Sequence, residues 1–348
     1  MNRPIGSSVP LSHAWSALRT EEPRLRTRQI SQRLGVSEGE LIDALVGGSV
    51  TRLRGPWVNL LKALEPIGVV MGLTRNEACV IEKDGRYQNI QDFGGMGQVL
   101  DRGIDLRLFL NRWGSAYLVR NDEAFGLRPS IQFFDVHGDA VHKVFLREES
   151  HREAFHALAH LHADPDQEPG LVVDPPEDAP AATPDQEVDV DGLREAWLSL
   201  QDTHDFHRLL RRFGVEREQA FRLVGADLAW PVGNRAHRQI LEGAAAGELP
   251  IMIFVGNPGV VQIHSGRVHT LKEVGPWYNV LDPEFNLHLD EQGVVNSWVV
   301  RKPTARGVVT ALELYDEEGR QVALFTGKRQ EEESGENPAW RALVEGAS

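Results

Sequence analysis

The sequence has little cysteine, no long apolar run and no typical export signal. Its 348 residues include a single cysteine, so an intramolecular disulfide is impossible and a reducing compartment is expected. The longest apolar stretches, such as residues 249–255, are far shorter than the roughly 20 residues of a membrane-spanning helix. The first residues include Pro, Gly and Ser instead of the apolar core of a secretory signal. We therefore predict a cytoplasmic protein that is not embedded in a membrane.

Positive charge is also scarce, because 37 Lys and Arg stand against 51 Asp and Glu, for a formal charge of −14. A nucleic-acid surface needs a basic stripe, so nucleic acid is not an expected partner. Ten of the acidic residues lie in residues 164–191, together with six prolines and no Lys or Arg. Such a segment cannot bury enough apolar surface to fold alone, which predicts an acidic, proline-rich linker. An acidic docking tail is the alternative interpretation.

The rest of the chain contains an internal repeat. Residues 71–145 align without a gap on residues 252–326, at a constant offset of 181, and 18 of these 75 pairs are identical. Ordinary composition would give about five identities. We therefore predict a tandem duplication, with an N-terminal repeat at residues 1–163 and a C-terminal repeat at residues 192–348. The unit is too long for a solenoid repeat.

Each copy begins with helical spacing and continues with short strands. In the second copy Leu209, Leu210 and Phe213 have helical spacing, with Gly214 suited to a C-cap, whereas residues 308–315 form one of several β-branched and aromatic runs. Strands that follow one another without intervening helices pair antiparallel. The predicted fold class is α+β, a tandem structural duplication in which each half is a large antiparallel β-sheet with packed helices. We expect the ligand site in a cleft between the halves.

The two copies differ in charge at aligned positions. The second copy is basic where the first is neutral or acidic at Lys302 (over Asn121), Arg329 (over Glu148) and, in a looser alignment of the helical parts, Arg217 (over Glu38). This asymmetry predicts an anionic ligand held mainly by the C-terminal repeat, through charge-assisted bonds to carboxylates or phosphates. Exposed surface charges are the alternative explanation. Arg107 over His288 is the reverse case, a cation offered by the first copy.

Other chemical signals are weaker. The sequence has no Walker loop and no nucleophile elbow. His156 and His160 lie four residues apart on a predicted helix, a spacing that can bind a metal, but no third ligand is indicated and an exposed polar face is the alternative. Cys79 lies in an apolar run, which favours a buried thiol over a metal thiolate. His204 and His207 lie where a helix begins, and from spacing alone an unbonded surface histidine is the better interpretation there.

Seven strings of residues occur in one order along the chain. They are residues 73–77 (LTRNE), 104–110 (IDLRLFL), 131–135 (IQFFD), 202–204 (DTH), 254–257 (FVGN), 282–289 (DPEFNLHL) and 301–304 (RKPT). Together they resemble the hemin-degrading or hemin-transport family of bacterial haem-uptake systems, and the likeness extends from Trp15 to about Arg341. That family is itself an internal duplication of antiparallel sheets with helices, which agrees with the repeat.

The resemblance implies haem, iron protoporphyrin IX, as the bound group. It makes His204 the axial ligand of the haem iron, bound through its neutral form. It places Arg107 on the distal side as the catalytic residue, acting on the sixth ligand of the iron through water. The other implied contacts are Arg217, Lys302 and Arg329 with the propionates, and Phe109 and Phe254 with the faces of the porphyrin. A dianionic porphyrin agrees with the basic asymmetry of the repeat.

Three positions depart from the family pattern. Some family members have a histidine at the position of Ile81, and relatives have a glutamine and a tyrosine at the positions of Leu324 and Thr326. The propionate end is therefore expected to have fewer hydrogen bonds here than in relatives.

The resemblance implies one of two functions that share one pocket. In the first, the protein binds imported haem through an axial histidine and degrades it, like a haem oxygenase, to release iron. In the second, it is a non-enzymatic carrier that takes haem from an inner-membrane ABC importer and delivers it to a separate haem oxygenase. Both imply haem binding, and they differ in whether turnover with a reductant yields a discrete product.

Overall fold

The structure is a computed structural model that describes residues 10–176, 182–329 and 335–347. Within these residues the α-helices are α1 Leu11–Glu21, α2 Thr27–Leu34, α3 Glu38–Asp43, α4 Trp57–Lys62, α5 Arg152–His162, α6 Val190–Leu198, α7 Phe206–Phe213, α8 Arg217–Val224, α9 Ala236–Ala246 and α10 Pro338–Glu345. Short 3-10 turns occupy Glu65–Ile67, Leu110–Arg112, Asp185–Glu187, Thr203–Asp205 and Glu291–Gly293.

The described strands fall into two series that follow the repeat. The first series is β1 Val50–Leu53, β2 Val70–Arg75, β3 Cys79–Gly85, β4 Gln91–Asp92, β5 Met96–Leu100, β6 Asp105–Phe109, β7 Trp113–Val119, β8 Ser130–Asp135 and β9 Ala140–Leu146. The second series is β10 Ala229–Val232, β11 Ile251–Asn257, β12 Val260–Gly266, β13 Leu271–Val274, β14 Trp277–Asp282, β15 Phe285–Asp290, β16 Asn296–Lys302, β17 Val309–Tyr315 and β18 Gln321–Gly327.

The repeat offset is reproduced by the strands themselves. Strands β3 and β12 begin and end 181 residues apart, and so do β9 and β18. The helical parts match as well, because Gly35 and Gly214 end α2 and α7 with φ values of 66° and 62°. Glycine reaches this left-handed conformation without a steric penalty, as predicted for the cap at Gly214. The predicted structural duplication is confirmed.

The strands form two nine-stranded sheets. The first has the order β1-β7-β8-β9-β2-β3-β15-β14-β13, and the second has the order β10-β16-β17-β18-β11-β12-β6-β5-β4. The described pairings between these strands are antiparallel. The prediction of two large antiparallel sheets with packed helices is therefore confirmed. The sequence did not predict that three strands of each series, β4–β6 and β13–β15, belong to the sheet formed mainly by the other series.

The chain divides into two compact units. Among the described residues, unit 1 comprises 10–74, 82–176 and 257–262, and unit 2 comprises 75–81, 182–256, 263–329 and 335–347. Each unit has two apolar clusters of its own: those of unit 1 surround Phe133 and Phe134, and those of unit 2 surround Phe221 and Phe325. Each unit thus includes a short segment from the other end of the chain, which the predicted domain boundaries at 163 and 192 do not anticipate.

Two equivalent asparagines hold these short segments. In unit 2 the Asn76 side-chain amide donates hydrogen bonds to the carbonyls of Gly256 and Val322, at 3.1 and 2.8 Å. In unit 1 the Asn257 amide donates to the carbonyl of Val141 at 2.9 Å. Asn76 and Asn257 are one of the identical pairs at the offset of 181. Each amide thus fastens the short segment to backbone carbonyls of its unit, and its loss would remove these donors.

The predicted linker contacts both units at its two ends. In unit 1 the Asp43 carboxylate accepts hydrogen bonds from the backbone amides of Gly170 and Leu171, each at 2.7 Å. In unit 2 the Gln219 side chain donates to the Thr183 carbonyl and the Asp185 carboxylate. Residues 177–181 of the predicted linker lie outside the described residues. The described parts of this segment form hydrogen bonds with folded residues at both ends.

Candidate functional site

One face of the second sheet in unit 2 is only partly covered by helices. Directly paired residues point to the same side of a sheet, and Glu313, Leu324 and Phe254 form one such row across β17, β18 and β11. Helices α6–α8 pack on this face around Tyr315 and other buried aromatics. Phe254 and Leu324 lie beyond that cluster and remain partly exposed. They provide an apolar wall beside the helices.

A buried carboxylate lies next to this wall. Glu313 has no exposed side-chain surface and accepts hydrogen bonds from Arg217 Nε at 2.8 Å, Arg217 Nη2 at 3.1 Å and Lys302 Nζ at 2.5 Å. Glu313 Oε2, the oxygen that accepts from Arg217 Nε, also accepts from Tyr315 Oη at 2.6 Å and Gln321 Nε2 at 2.7 Å. Two of the three cations that were predicted to bind propionates therefore already share one internal carboxylate. We call these five residues the Glu313 cluster.

The cluster shifts the pKa values of its members in opposite directions. Burial lowers the pKa of the Lys302 ammonium to about 8, although the charge of Glu313 opposes this and Arg217 adds to it. Burial alone would raise the pKa of Glu313, but the charges of Arg217 and Lys302 outweigh it and hold that pKa well below its usual range. Glu313 is therefore ionised at neutral pH, and Lys302 keeps its proton there mainly because Glu313 is charged.

Phe206 connects the cluster to His204. The Lys302 ammonium lies 4.4 Å and the Arg217 guanidinium carbon 5.1 Å from the centroid of the Phe206 ring, which is buried. Both distances are within the range of a cation–π interaction. Phe206 begins α7 directly after the turn Thr203–Asp205 that carries His204. The residue that contacts both cations is therefore only two positions away from His204 in the sequence.

His204 is exposed and oriented by one carboxylate. Its side chain is 84% exposed, and its Nδ1 lies 2.6 Å from Asp202 Oδ1. The same oxygen accepts from the His204 backbone amide at 2.9 Å. These two hydrogen bonds, with some help from Arg329, lower the pKa of Asp202. When Nδ1 donates its proton to a carboxylate, Nε2 carries the lone pair, so this imidazole presents its metal-binding nitrogen to solvent.

Arg329 and His207 have weaker contacts near the same turn. Arg329 Nη2 lies 3.5 Å from Thr304 Oγ1, at the limit of a hydrogen bond. The pKa of His207 is lowered, first by burial and then by the charges of Arg211 and Arg217. Like His204, His207 is exposed, so both imidazoles are accessible to an external group.

Arg107 and Phe109 lie in unit 1, on β6 of the second sheet. Arg107 forms an ion pair with Asp105 on the same strand, and Phe109 is paired with Met96 on β5. Residues 105, 107 and 109 share one face of β6, and that face is partly exposed. Ile81 and Thr326, two of the positions that depart from the family pattern, are buried.

Metal-ligating side chains are not clustered in the parts of the chain that the structure describes. There, no group of three or more His, Cys, Asp or Glu side chains could hold a metal ion. His156 and His160 lie on α5 as predicted, and both are exposed. Cys79 is buried, and burial raises the pKa of its thiol. None of the described helices is long and apolar enough to cross a membrane.

Comparison with known proteins supplies the family. The model of the haemin-degrading HemS.ChuX domain matches residues 35–162 and again residues 214–346. The chain belongs to this family. The two matches coincide with the two copies of the repeat.

Individual relatives cover almost the entire chain. The hemin transport protein HmuS of Yersinia pestis is 40% identical over 330 residues, which are 94% of each protein. The structure of holo-PhuS, a heme-binding protein from Pseudomonas aeruginosa, has a TM-score of 0.95 and 43% identity and covers 99% of both chains. The heme degrading enzyme ChuS of Escherichia coli O157:H7 has a TM-score of 0.89 and 36% identity and covers 97% of this chain and 98% of its own.

Sequence reasoning missed Glu313, although the repeat contains a signal for it. Glu313 lies over Gln132, a charge difference of the same kind as the one that singled out Lys302. The N-terminal copy has a charge-inverted pair, because Glu38 at the start of α3 binds Lys143 on β9. Part of the charge asymmetry between the copies therefore serves internal ion pairs.

Proposed function

We propose that this protein binds haem in a bacterial haem-uptake system, with His204 Nε2 as the axial ligand of the iron. The observation that carries the proposal is the His204–Asp202 pair, in which an exposed imidazole has its Nδ1 held at 2.6 Å by a carboxylate. A ligating histidine usually donates its second ring N–H in this way, which fixes the tautomer and raises the basicity of the ligand nitrogen. The family membership and the descriptions of HmuS and holo-PhuS support haem as the bound group.

The residues around His204 suit the two chemical parts of a porphyrin. Phe254, with Leu324 beside it, offers an apolar surface to the ring, and burial of such surface contributes about 25 cal/mol per Å². Arg217, Lys302 and Arg329 provide the positive charge that the propionates require, and a direct charge-assisted contact contributes roughly 1.5–3 kcal/mol when desolvated. Phe109 on β6 would contribute a further apolar contact to the ring.

For the reaction we propose degradation of the bound haem, with Arg107 on the distal side. Bound haem supplies the redox chemistry, and the protein supplies the axial ligand, the distal polarity and the access. Arg107 provides a fixed positive charge and N–H donors that orient water next to the iron, while Asp105 holds its side chain. The description of ChuS as a heme degrading enzyme supports this choice. The alternative is a carrier that passes haem to a separate oxygenase, which the description of HmuS as a transport protein favours.

The first experiment is a titration of the purified protein with ferric haem, followed by absorbance. We expect the wild type to bind haem and His204→Ala to bind more weakly with an altered iron spectrum. His207→Ala is the matched control, since it removes a histidine three residues away and should keep the wild-type spectrum. An unchanged spectrum in His204→Ala together with an altered one in His207→Ala would move the ligand assignment to His207.

The second experiment separates degradation from transport. Haem-loaded protein is given an electron donor and oxygen in the presence of catalase, and the products are identified by mass. A discrete open-chain tetrapyrrole, diminished in Arg107→Gln, is expected for the enzyme. Loss of colour that catalase abolishes would indicate peroxide damage, and intact haem that moves to an added oxygenase would favour the carrier.

A further inference from the structure

The Glu313 cluster has an unusual charge balance for a site that must bind a dianion. Its two cations share one buried carboxylate, so the cluster has a net charge of +1. The side chains of Arg217 and Lys302 are 27% and 5% exposed, so Arg217 is the cation that an external group can reach. Its contacts to Glu313 use Nε and Nη2, and the two N–H groups on Nη1 lie outside them.

We propose that Glu313 is a positioning and specificity-determining residue, whose buried carboxylate keeps Lys302 charged and holds Lys302 and Arg217 aligned, so that the cluster binds one ligand carboxylate and not two. This inference rests on the proposed function, which it deepens. The second carboxylate of a dianionic ligand must then bind elsewhere. Arg329 is the suitable cation, because its contact with Thr304 is long, at 3.5 Å.

The geometry argues against Glu313 acting only as a competitor of the ligand. Lys302 is buried beside a second cation, and both conditions favour the neutral amine. The titratable and charged groups around it are Glu313 and Tyr315 on β17 and Arg217 on α8, with His207 on α7 close enough to Arg217 to be affected by its charge. Glu313 is the only negative group among them. Removing its charge should therefore lower the pKa of Lys302 and favour the neutral amine. A competitor would behave in the opposite way, because its removal would release two cations for the ligand.

The two interpretations predict different pH profiles. If the charge of Lys302, whose pKa is about 8, strengthens the binding of a carboxylate ligand about tenfold, the affinity should fall toward a plateau about tenfold lower as the pH rises from 7 past 9. Without the charge of Glu313 the same fall should occur at lower pH. The affinity of Glu313→Gln at pH 7 should then be about tenfold below that of the wild type, with little further change up to pH 9.

The test measures haem affinity from pH 6 to pH 9.5 for the wild type, Glu313→Gln and Tyr315→Phe. Tyr315→Phe is the matched control, because it removes a neutral hydrogen bond at 2.6 Å from the same carboxylate and leaves the charges in place. It should keep the wild-type pH profile. Haem dimethyl ester, which has no free carboxylates, corrects for the pH dependence of the iron itself and should show no fall tied to Lys302.

Each outcome decides the inference. A profile of Glu313→Gln that superimposes on the wild type, or a higher affinity at pH 7, overturns it. If Glu313→Gln does not fold, Lys302→Met replaces it: its affinity should be flat between pH 7 and pH 9 at the level of the wild type at pH 9, and a wild-type profile in that variant overturns the inference. A wild type that does not bind haem at all overturns the proposed function itself. A wild type that binds haem without losing affinity as the pH rises overturns only the inference about Glu313.

Discussion

A buried histidine in unit 1 should make the stability of the protein depend steeply on pH. His142 on β9 is almost completely buried, with Nδ1 2.8 Å from Thr74 Oγ1 and Nε2 2.5 Å from Tyr87 Oη. Burial lowers the pKa of its imidazole from 6.5 to about 3, although a backbone hydrogen bond at Leu73 opposes this. The imidazole is therefore neutral in the folded protein over the whole physiological range.

The sign and the size of the effect follow from the two pKa values. Below pH 6.5 the unfolded chain binds a proton at His142, whereas the folded chain does not until about pH 3. Stability therefore falls as the pH decreases through this window, by about 1.36 kcal/mol per pH unit. Relative to pH 7, the contribution of His142 at pH 5 should be a loss of about 2 kcal/mol.

The measurement compares the wild type with His142→Gln, which has no titrating group at this position. Urea unfolding followed by circular dichroism gives the free energy of unfolding at pH 7 and at pH 5. We expect His142→Gln to be less stable at pH 7, because it disturbs the contacts with Thr74 and Tyr87, but to lose about 2 kcal/mol less between the two pH values. Tyr87→Phe keeps the histidine and should keep the wild-type loss. An equal loss in the wild type and in His142→Gln would refute the reasoning.

Three further predictions follow from single contacts. Asp202→Asn should weaken haem binding about tenfold in a titration and leave the fold intact, because only the carboxylate fixes the His204 tautomer; wild-type affinity would show that the pair is incidental. Asp43→Asn should cost about 3 kcal/mol in urea unfolding and speed proteolysis within residues 164–174, because the Asp43 side chain, 2% exposed, binds Arg52 and the linker amides; unchanged cleavage would contradict this. Arg329→Gln should reduce the affinity for haem about tenfold but leave that for haem dimethyl ester unchanged, and an equal loss for both would refute a carboxylate contact.

Much of the fold could be predicted because the two copies are aligned without gaps. Equivalent strands such as β9 and β18 have the same length and lie at the same offset of 181 residues, so the sequence alone identifies the duplication and the antiparallel sheets. The contacts of the linker could not be predicted, because its composition describes an isolated chain. Asp43 and Gln219 bind its two ends through hydrogen bonds to backbone groups, which composition does not reveal.

The candidate site, too, could be predicted from the sequence only in part. The charge differences between the copies pointed to Arg217 and Lys302, and the family resemblance pointed to His204. The partners that these side chains bind depend on burial. Glu313 pairs with both cations because the fold removes it from water together with them. In water the same three side chains would be separately hydrated and only weakly coupled.

By itself, the sequence determined the duplication, the class of fold and the family. Only the tertiary structure decided which sheet receives the strands β4–β6 and β13–β15, because both sets have the same apolar period and either could complete either sheet. The deciding pairings are non-local, because β6 pairs with β12 and β15 lies beside β3. These strands lie far apart along the chain and become neighbours only in the folded protein.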